Sequence, residues 1–464
     1  MIKRSLFVLL ALFMTASVRA EFWVETETLR LSFSEQGALQ SAIACFPSCS
    51  SERPRLRQFG SEGVILPDGA SDNWALQRHS DDAQLDLVFR HANGAERRWR
   101  IPQRGYRIGL SLSEQTALTL RSGPAFRPRD ASGFGNWLEQ LRYVIMSDGD
   151  VSQVSLNDEE EAELTADNWS GFRNRFWALM ALPPAQVEFL IETGIGQVDA
   201  QLVIPAAEGA WSFYLGPLEN QVLGQEARDL RDILYAGLWF WLRWICFGMF
   251  YLLSWIKLLI PGWGVAIMVL SLTVHILMLP LSRIADRFQQ QVNETEARLQ
   301  PELQRIKRQY RGEEQAARIL ALYKAERVHP LYSLKSLMGV AVVIPVFIGA
   351  FDMLAGNIHL LNTGFLWIGD LSRPDALFHL PFSLPFFGAD LNLLPFLMTG
   401  LSVAASALHS PPALNAEMRR RQALNMVFLA VAFFVLFYTF PAGMVLYWTT
   451  NNLISVIKSL WARR

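Results

Sequence analysis

The chain reads as a polytopic α-helical membrane protein that carries an exported all-β sandwich, and three observations predict that class. Apolar runs long enough to span a bilayer crowd the second half, the first half alternates apolar and polar residues with period two, and charge is segregated between the halves. Of 464 residues 51% are hydrophobic and 18% charged, below the charged share of about 25% in typical soluble domains. This excludes a disordered or nucleic-acid-coating chain, and no nucleic-acid recognition is expected. The net charge of -1 conceals the segregation: residues 1–20 hold three Lys/Arg and no acids, residues 21–235 hold 19 against 31, and residues 236–464 hold 20 against 12.

The first segment, 1–20, sets Lys3 and Arg4 before an apolar stretch from Leu6 to Val18 and reaches Val18-Arg19-Ala20 before Glu21. It fits a cleavable signal peptide or an N-terminal transmembrane anchor, and either one exports the chain from Glu21 onward. In the exported section Cys45 and Cys49 lie four apart, and an oxidising compartment favours a disulfide between them. Cys246, among Trp244, Ile245 and Phe247, reads as a small apolar residue.

Residues 21–233 are expected to form the sandwich, on the exported side. Leu29/Leu31/Phe33, Leu85/Leu87/Phe89 and Tyr106/Ile108/Leu110/Leu112 alternate as half-buried strands do, and Gly37, Asn93-Gly94, Gly105 and Pro183-Pro184 supply turns. The acidic run Asp158-Glu159-Glu160-Glu161 reads as a solvated loop. At Leu234 the character changes: residues 234–260 interleave nine aromatics with Arg243, Ser254 and Lys257, as in an amphipathic helix lying in the membrane interface, although the apolar content would also permit a span.

Residues 261–464 are expected to form a five-span core. The runs Trp263–Leu281, Ser336–Ala355 and Leu391–Leu408 give three helices, and the run Ala423–Leu460 is broken by Pro441-Ala442-Gly443 into two more. Ten Lys/Arg fill 283–329, and Arg419, Arg420, Arg421, Lys458, Arg463 and Arg464 mark two other cytoplasmic positions. The connection 356–390 has Arg373 beside Asp370, Asp375 and Asp390, so it faces outward with the acidic half. Within 283–329, Leu299, Leu303 and Ile306, then Ile319, Leu322 and Tyr323, recur at helical spacing on either side of Gly312, which predicts a helical hairpin in the cytoplasm.

Polar residues inside spans are costly and mark functional positions. Here they are His275, Lys335, Asp352, Asn451 and Asn452, with Ser271 one helical turn from His275 on the same face. The sequence holds no Walker loop, metal-ligand cluster or Ser-His-Asp signature, so neither an enzyme nor a cofactor is expected. Solute transport stays open on these residues alone.

Four motifs carry a resemblance: Trp211-Ser212-Phe213-Tyr214-Leu215-Gly216-Pro217, Leu322-Tyr323-Lys324-Ala325-Glu326, Trp367-Ile368-Gly369-Asp370-Leu371-Ser372, and Pro441-Ala442-Gly443-Met444-Val445-Leu446-Tyr447-Trp448. Together, from about residue 22 to the end, the chain resembles the YidC family of bacterial inner-membrane insertases. The resemblance implies a five-helix core around a hydrophilic groove, a cytoplasmic hairpin that receives substrates, and a periplasmic β-sandwich. It implies action on nascent integral membrane proteins without nucleotide or metal, in the lipid bilayer, alone or beside the Sec translocon and ribosome. On this reading Ser271, His275, Lys335, Tyr447, Trp448 and Asn451 line the groove. The sequence departs from the family at the groove arginine, whose place falls on His275, so a fixed cation becomes one whose charge depends on its surroundings. The family's Gln before the next span's proline is absent at Val343-Ile344-Pro345, and Lys335 is expected to replace part of the lost charge from the cytoplasmic rim. The alternative is a divergent scaffold that assists assembly through its exported domain.

Overall fold

The computed structural model describes residues 21–462 apart from 61–62, 69–73, 127–130, 148–149, 156–160, 194–199, 227, 327, 329–336 and 410–415. The leader over 1–20, most of the acidic run at 158–161, Lys335, and Arg463 with Arg464 lie outside the described residues.

Among the described residues the first half forms sixteen strands, all paired antiparallel. Two long strands, Arg107–Arg121 and Ala200–Pro217, pair along the middle, with Ile108 opposite Phe213 and Leu110 opposite Trp211. The period-two runs become strands whose apolar residues point inward: Leu29, Leu31, Phe33, Leu87, Phe89, Ile108 and Leu110 are all fully buried. Phe33 and Phe59 from one arm of the pairing path share a core with Phe172 and Leu179 from the other, so the strands enclose one apolar interior. Gly171 requires its missing side chain, because a Cβ there would sit 2.2 Å from the backbone oxygen of Leu179. Cys45 and Cys49 are joined by a disulfide, and Cys246 is free and buried.

Helix α1 (Asn220–Glu226) leads out of the last strand, and α2 (Phe240–Leu259) comes next. The inward face of α2 is Leu242, Cys246, Met249, Phe250, Leu253 and Ile256 at helical spacing, while Phe240, Trp244, Trp255 and Leu259 are exposed on the remainder. Helix α3 (Trp263–Gln309) continues through 47 residues from the apolar run into the charged segment. It is followed by α4 (Gly312–Ala325). Gly312 takes the turn at a φ of 63°, Leu299 is buried, and Arg298 reaches Glu326 at 3.6 Å. The remaining helices are α5 (Leu337–Ala355), α6 (Leu394–His409), α7 (Ala416–Phe437) and α8 (Ala442–Ala462). The break between α7 and α8 falls at Pro441, which cannot donate into a helix.

Among the described residues two helical stretches have the length and apolarity to cross a membrane, Phe240–Leu259 and Trp263–Val292. Val343–Ala355 and Ala423–Phe437, the described parts of the longer helices α5 and α7, and Leu394–Leu408 of α6 are apolar as well. Helix α8 has the length but carries Thr449, Thr450, Asn451 and Asn452 in succession. The helix expected to lie flat is thus as apolar as a span, because aromatic residues serve both settings.

The connection between α5 and α6 is built on capping carboxylates. Asp375 Oδ2 accepts from the backbone N–H groups of Leu393 and Leu394 and from Trp367 Nε1, fixing the start of α6. Asp370 Oδ1 accepts from Asn362 N and Ser372 N.

Candidate functional site between two core helices

Two pairs of residues one turn apart, Ser271 with His275 on α3 and Tyr447 with Asn451 on α8, meet across the packed interface of these helices. Ser271 Oγ donates to the Tyr447 carbonyl at 3.0 Å, and His275 Nδ1 lies 3.0 Å from Asn451 Oδ1. Both contacts join residues 176 positions apart. A constant offset means that α3 and α8 run in the same direction where they touch.

The four residues do not share one environment. Ser271 and Tyr447 are buried within the helix interface, whereas His275, Trp448 and Asn451 are half-buried. With Asn451 Oδ1 as acceptor, His275 carries its proton on Nδ1. The other ring nitrogen, Nε2, is buried and has no hydrogen-bond partner among the described residues. Trp448 turns toward α5, where its ring lies 4.6 Å from that of Phe347. Hydroxyls elsewhere on α8 are used locally: Thr449 and Thr450 donate to the carbonyls of Val445 and Leu446. Asn452 Nδ2 instead reaches across to the Met398 carbonyl of α6 at 3.1 Å.

Two of the sequence motifs are in contact. The start of α8 docks on the α5–α6 connection through Gly443 N donating to Leu371 O at 2.8 Å and Ala442 N donating to Arg373 O at 2.6 Å. Gly443 is needed because a Cβ there would stand 3.1 Å from both the Leu371 oxygen and the Leu360 side chain. In the motif that ends the sheet, Tyr214 Oη donates to Pro217 O at 2.7 Å, and a Cβ on Gly216 would strike Tyr106 at 2.6 Å. These motifs therefore fix backbone junctions, one at the start of α8 and one at the end of the sheet.

Sequence reasoning missed the residues that join the β-region to the helices. Arg175 is buried; its Nε donates to Ala355 O at 2.7 Å, and its Nη1 reaches Ser372 O at 2.9 Å and Glu139 at 2.7 Å. Arg55 donates to the carbonyls of Leu361 at 2.9 Å and His359 at 2.8 Å. An isolated arginine in a strand carries no sequence signal for such a role.

The family model described as "60Kd inner membrane protein" matches residues 255–464, which contain the whole seam. A protein of Syntrophobacter fumaroxidans named "Membrane protein insertase YidC" is 31% identical over 255 residues, 54% of this chain and 43% of that protein. One of the same name from Methylobacillus flagellatus is 32% identical over 347 residues, 72% of this chain and 57% of that protein. The matched stretch thus spans about half the length of these relatives. A solved structure titled "Active YidC insertase crystal structure with the first transmembrane domain resolved" aligns over 95% of this chain and 92% of its own, at 17% identity and a TM-score of 0.36, too low to carry a structural argument. Residues 255–464 thus match the family described as 60Kd inner membrane protein, and the chain is similar to proteins named membrane protein insertase YidC.

Proposed function

We propose that this chain is a membrane-protein insertase and chaperone of the bacterial inner membrane, acting on nascent integral membrane proteins without covalent catalysis. The observation that carries the reading is the polar seam, Ser271 and His275 against Tyr447 and Asn451, lying in the part of the chain that matches the family model. A polar tail crossing hydrocarbon must leave its hydrogen bonds to water, at several kcal/mol per unsatisfied group. Half-buried polar side chains along a helix seam lower that cost part of the way across, and the emerging apolar segment then enters lipid by its own transfer free energy.

In this reading α3, α5, α6, α7 and α8 are the five spans, Lys335 contributes charge at the cytoplasmic rim, and α2 lies at the outer interface. The β-region from 21 to 233 is periplasmic, while the α3–α4 hairpin and the C-terminus are cytoplasmic. The charge segregation supports this arrangement, and so does the common direction of α3 and α8, since the first and fifth of five alternating spans must run the same way. Sec translocon and ribosome are the partners expected at the two faces, and the leader over 1–20 is either removed or kept as an anchor.

The test is depletion of the protein followed by protease protection of a small two-span substrate. Loss of protection, restored by the wild-type chain, is expected. Unchanged insertion on depletion would instead support an assembly factor that works through its β-region.

A further inference from the structure

Where the β-region meets the outer ends of the helices, the structure encloses a partly open cavity of about 250 Å³. Its polar wall joins Arg142, Gln153, Arg173 and Arg175 of the β-region to Asp352 and Asn357 at the end of α5. Three N–H donors on this wall, Gln153 Nε2, Arg175 Nη2 and Asn357 Nδ2, are buried and have no hydrogen-bond partner among the described residues. Arg175 is 8% exposed and Asn357 5%. The amides are not simply reversed. Gln153 Oε1 accepts from Arg142 Nη1 at 3.4 Å, and Asn357 Oδ1 accepts from His359 N at 3.0 Å.

An unmatched buried donor costs about 1–3 kcal/mol, and native proteins tolerate few of them. Three on one chamber wall call for a common acceptor. The nearby carboxylates are already engaged. Glu139 pairs with Arg175, Glu219 accepts the backbone N–H groups of Gln221 and Val222, and Asp352 lies within electrostatic reach of Arg142 and Arg173. Burial pushes the Arg173 guanidinium down to about 10 and lowers that of Arg175 as well, so both stay charged at neutral pH but lack the solvation a charge needs. An entering anion would supply it. The opposite wall, including Leu234, Leu238 and Phe250, is apolar, and half-exposed Trp137 lines the cavity too.

We propose that this cavity binds a phosphate group, carried by a phospholipid headgroup or by free phosphate, with Gln153, Arg175 and Asn357 donating to its oxygens. A guanidinium beside two amides matches a tetrahedral oxyanion in donor number and charge. The headgroup source rests on the membrane arrangement proposed above, in which exposed Trp239, Phe240 and Trp244 at the start of α2 lie at headgroup level.

The experiment titrates the full-length, delipidated protein in detergent with dihexanoyl-phosphatidylglycerol and, separately, with inorganic phosphate, reading bound stoichiometry by native mass spectrometry. The double variant Gln153→Glu/Asn357→Asp keeps both acceptor oxygens and replaces both orphaned donors by carboxylate oxygens. Wild type should bind at least one probe one-to-one, and the double variant at least tenfold more weakly with no fall in Tm. The single variant Asn357→Asp should bind at least threefold more weakly. Tenfold preference for the lipid assigns the headgroup source, and the reverse preference assigns free phosphate. One-to-one binding of neither probe, or equal binding by wild type and both variants, overturns the proposal. No insertion step enters the readout, so failure here leaves the insertase reading untouched.

Discussion

His275 stands where the resemblance places an arginine, and its surroundings show what the exchange accomplishes. An arginine has no acceptor and keeps its charge, whereas this histidine meets a neighbour's carboxamide oxygen at one nitrogen and keeps the other buried without a partner among the described residues. The seam can therefore hold a polar group without a fixed cation. A double-mutant cycle with His275→Ala and Asn451→Ala, measured by denaturant unfolding in mixed micelles, should return a coupling of about 0.5–2 kcal/mol, the range for hydrogen bonds between membrane helices. A coupling indistinguishable from zero would mean that the two side chains do not interact. Both residues are legible in the sequence, because polar groups amid apolar runs are conspicuous. Their partnership is not, since nothing local relates positions 176 apart.

At the level of elements, legibility tracks the strength of the local signal. The alternation of Leu29, Leu31 and Phe33 leaves a strand little choice of face, and Pro441 leaves the last apolar run little choice of where to break. Helix α2 is harder, because its composition suits either a span or the interface and its exposed aromatics are compatible with both. What fixes α2 is tertiary packing: Gly349 of α5 leaves room for Ile245, whose Cγ2 would stand 2.6 Å from a Cβ at that position. Overfilling such a contact costs about 1–3 kcal/mol. Gly349→Ala should therefore lower the Tm of the solubilised protein, and the loss should largely vanish in an Ile245→Ala background, where the opposing methyl is gone. An equal loss in both backgrounds would assign the effect to α5 itself.

Across the whole molecule, the charge asymmetry of the sequence becomes a direction, acidic on the β-region and basic on the hairpin, while the joint between them depends on residues no pattern reveals. Arg175 and Arg55 hold the stretch from Ala355 to Ser372, the same stretch on which the first turn of α8 docks through Leu371. The β-region is thus connected to the seam by a short mechanical path: arginine fork, outer connection, start of α8, then Tyr447 and Asn451. Removing Arg175 takes away the partner of the partly exposed Glu139 carboxylate and the donors to two carbonyls of the connection. Arg175→Met should accordingly speed amide exchange over 357–372 by at least tenfold and leave the α3–α4 hairpin unchanged. Arg175→Lys should rescue little of this, since an ammonium cannot serve two carbonyls and Glu139 from one planar fork. If exchange in 357–372 does not change in either variant, the outer connection is held by α6 and α8 alone, and the β-region has no mechanical hold on the seam.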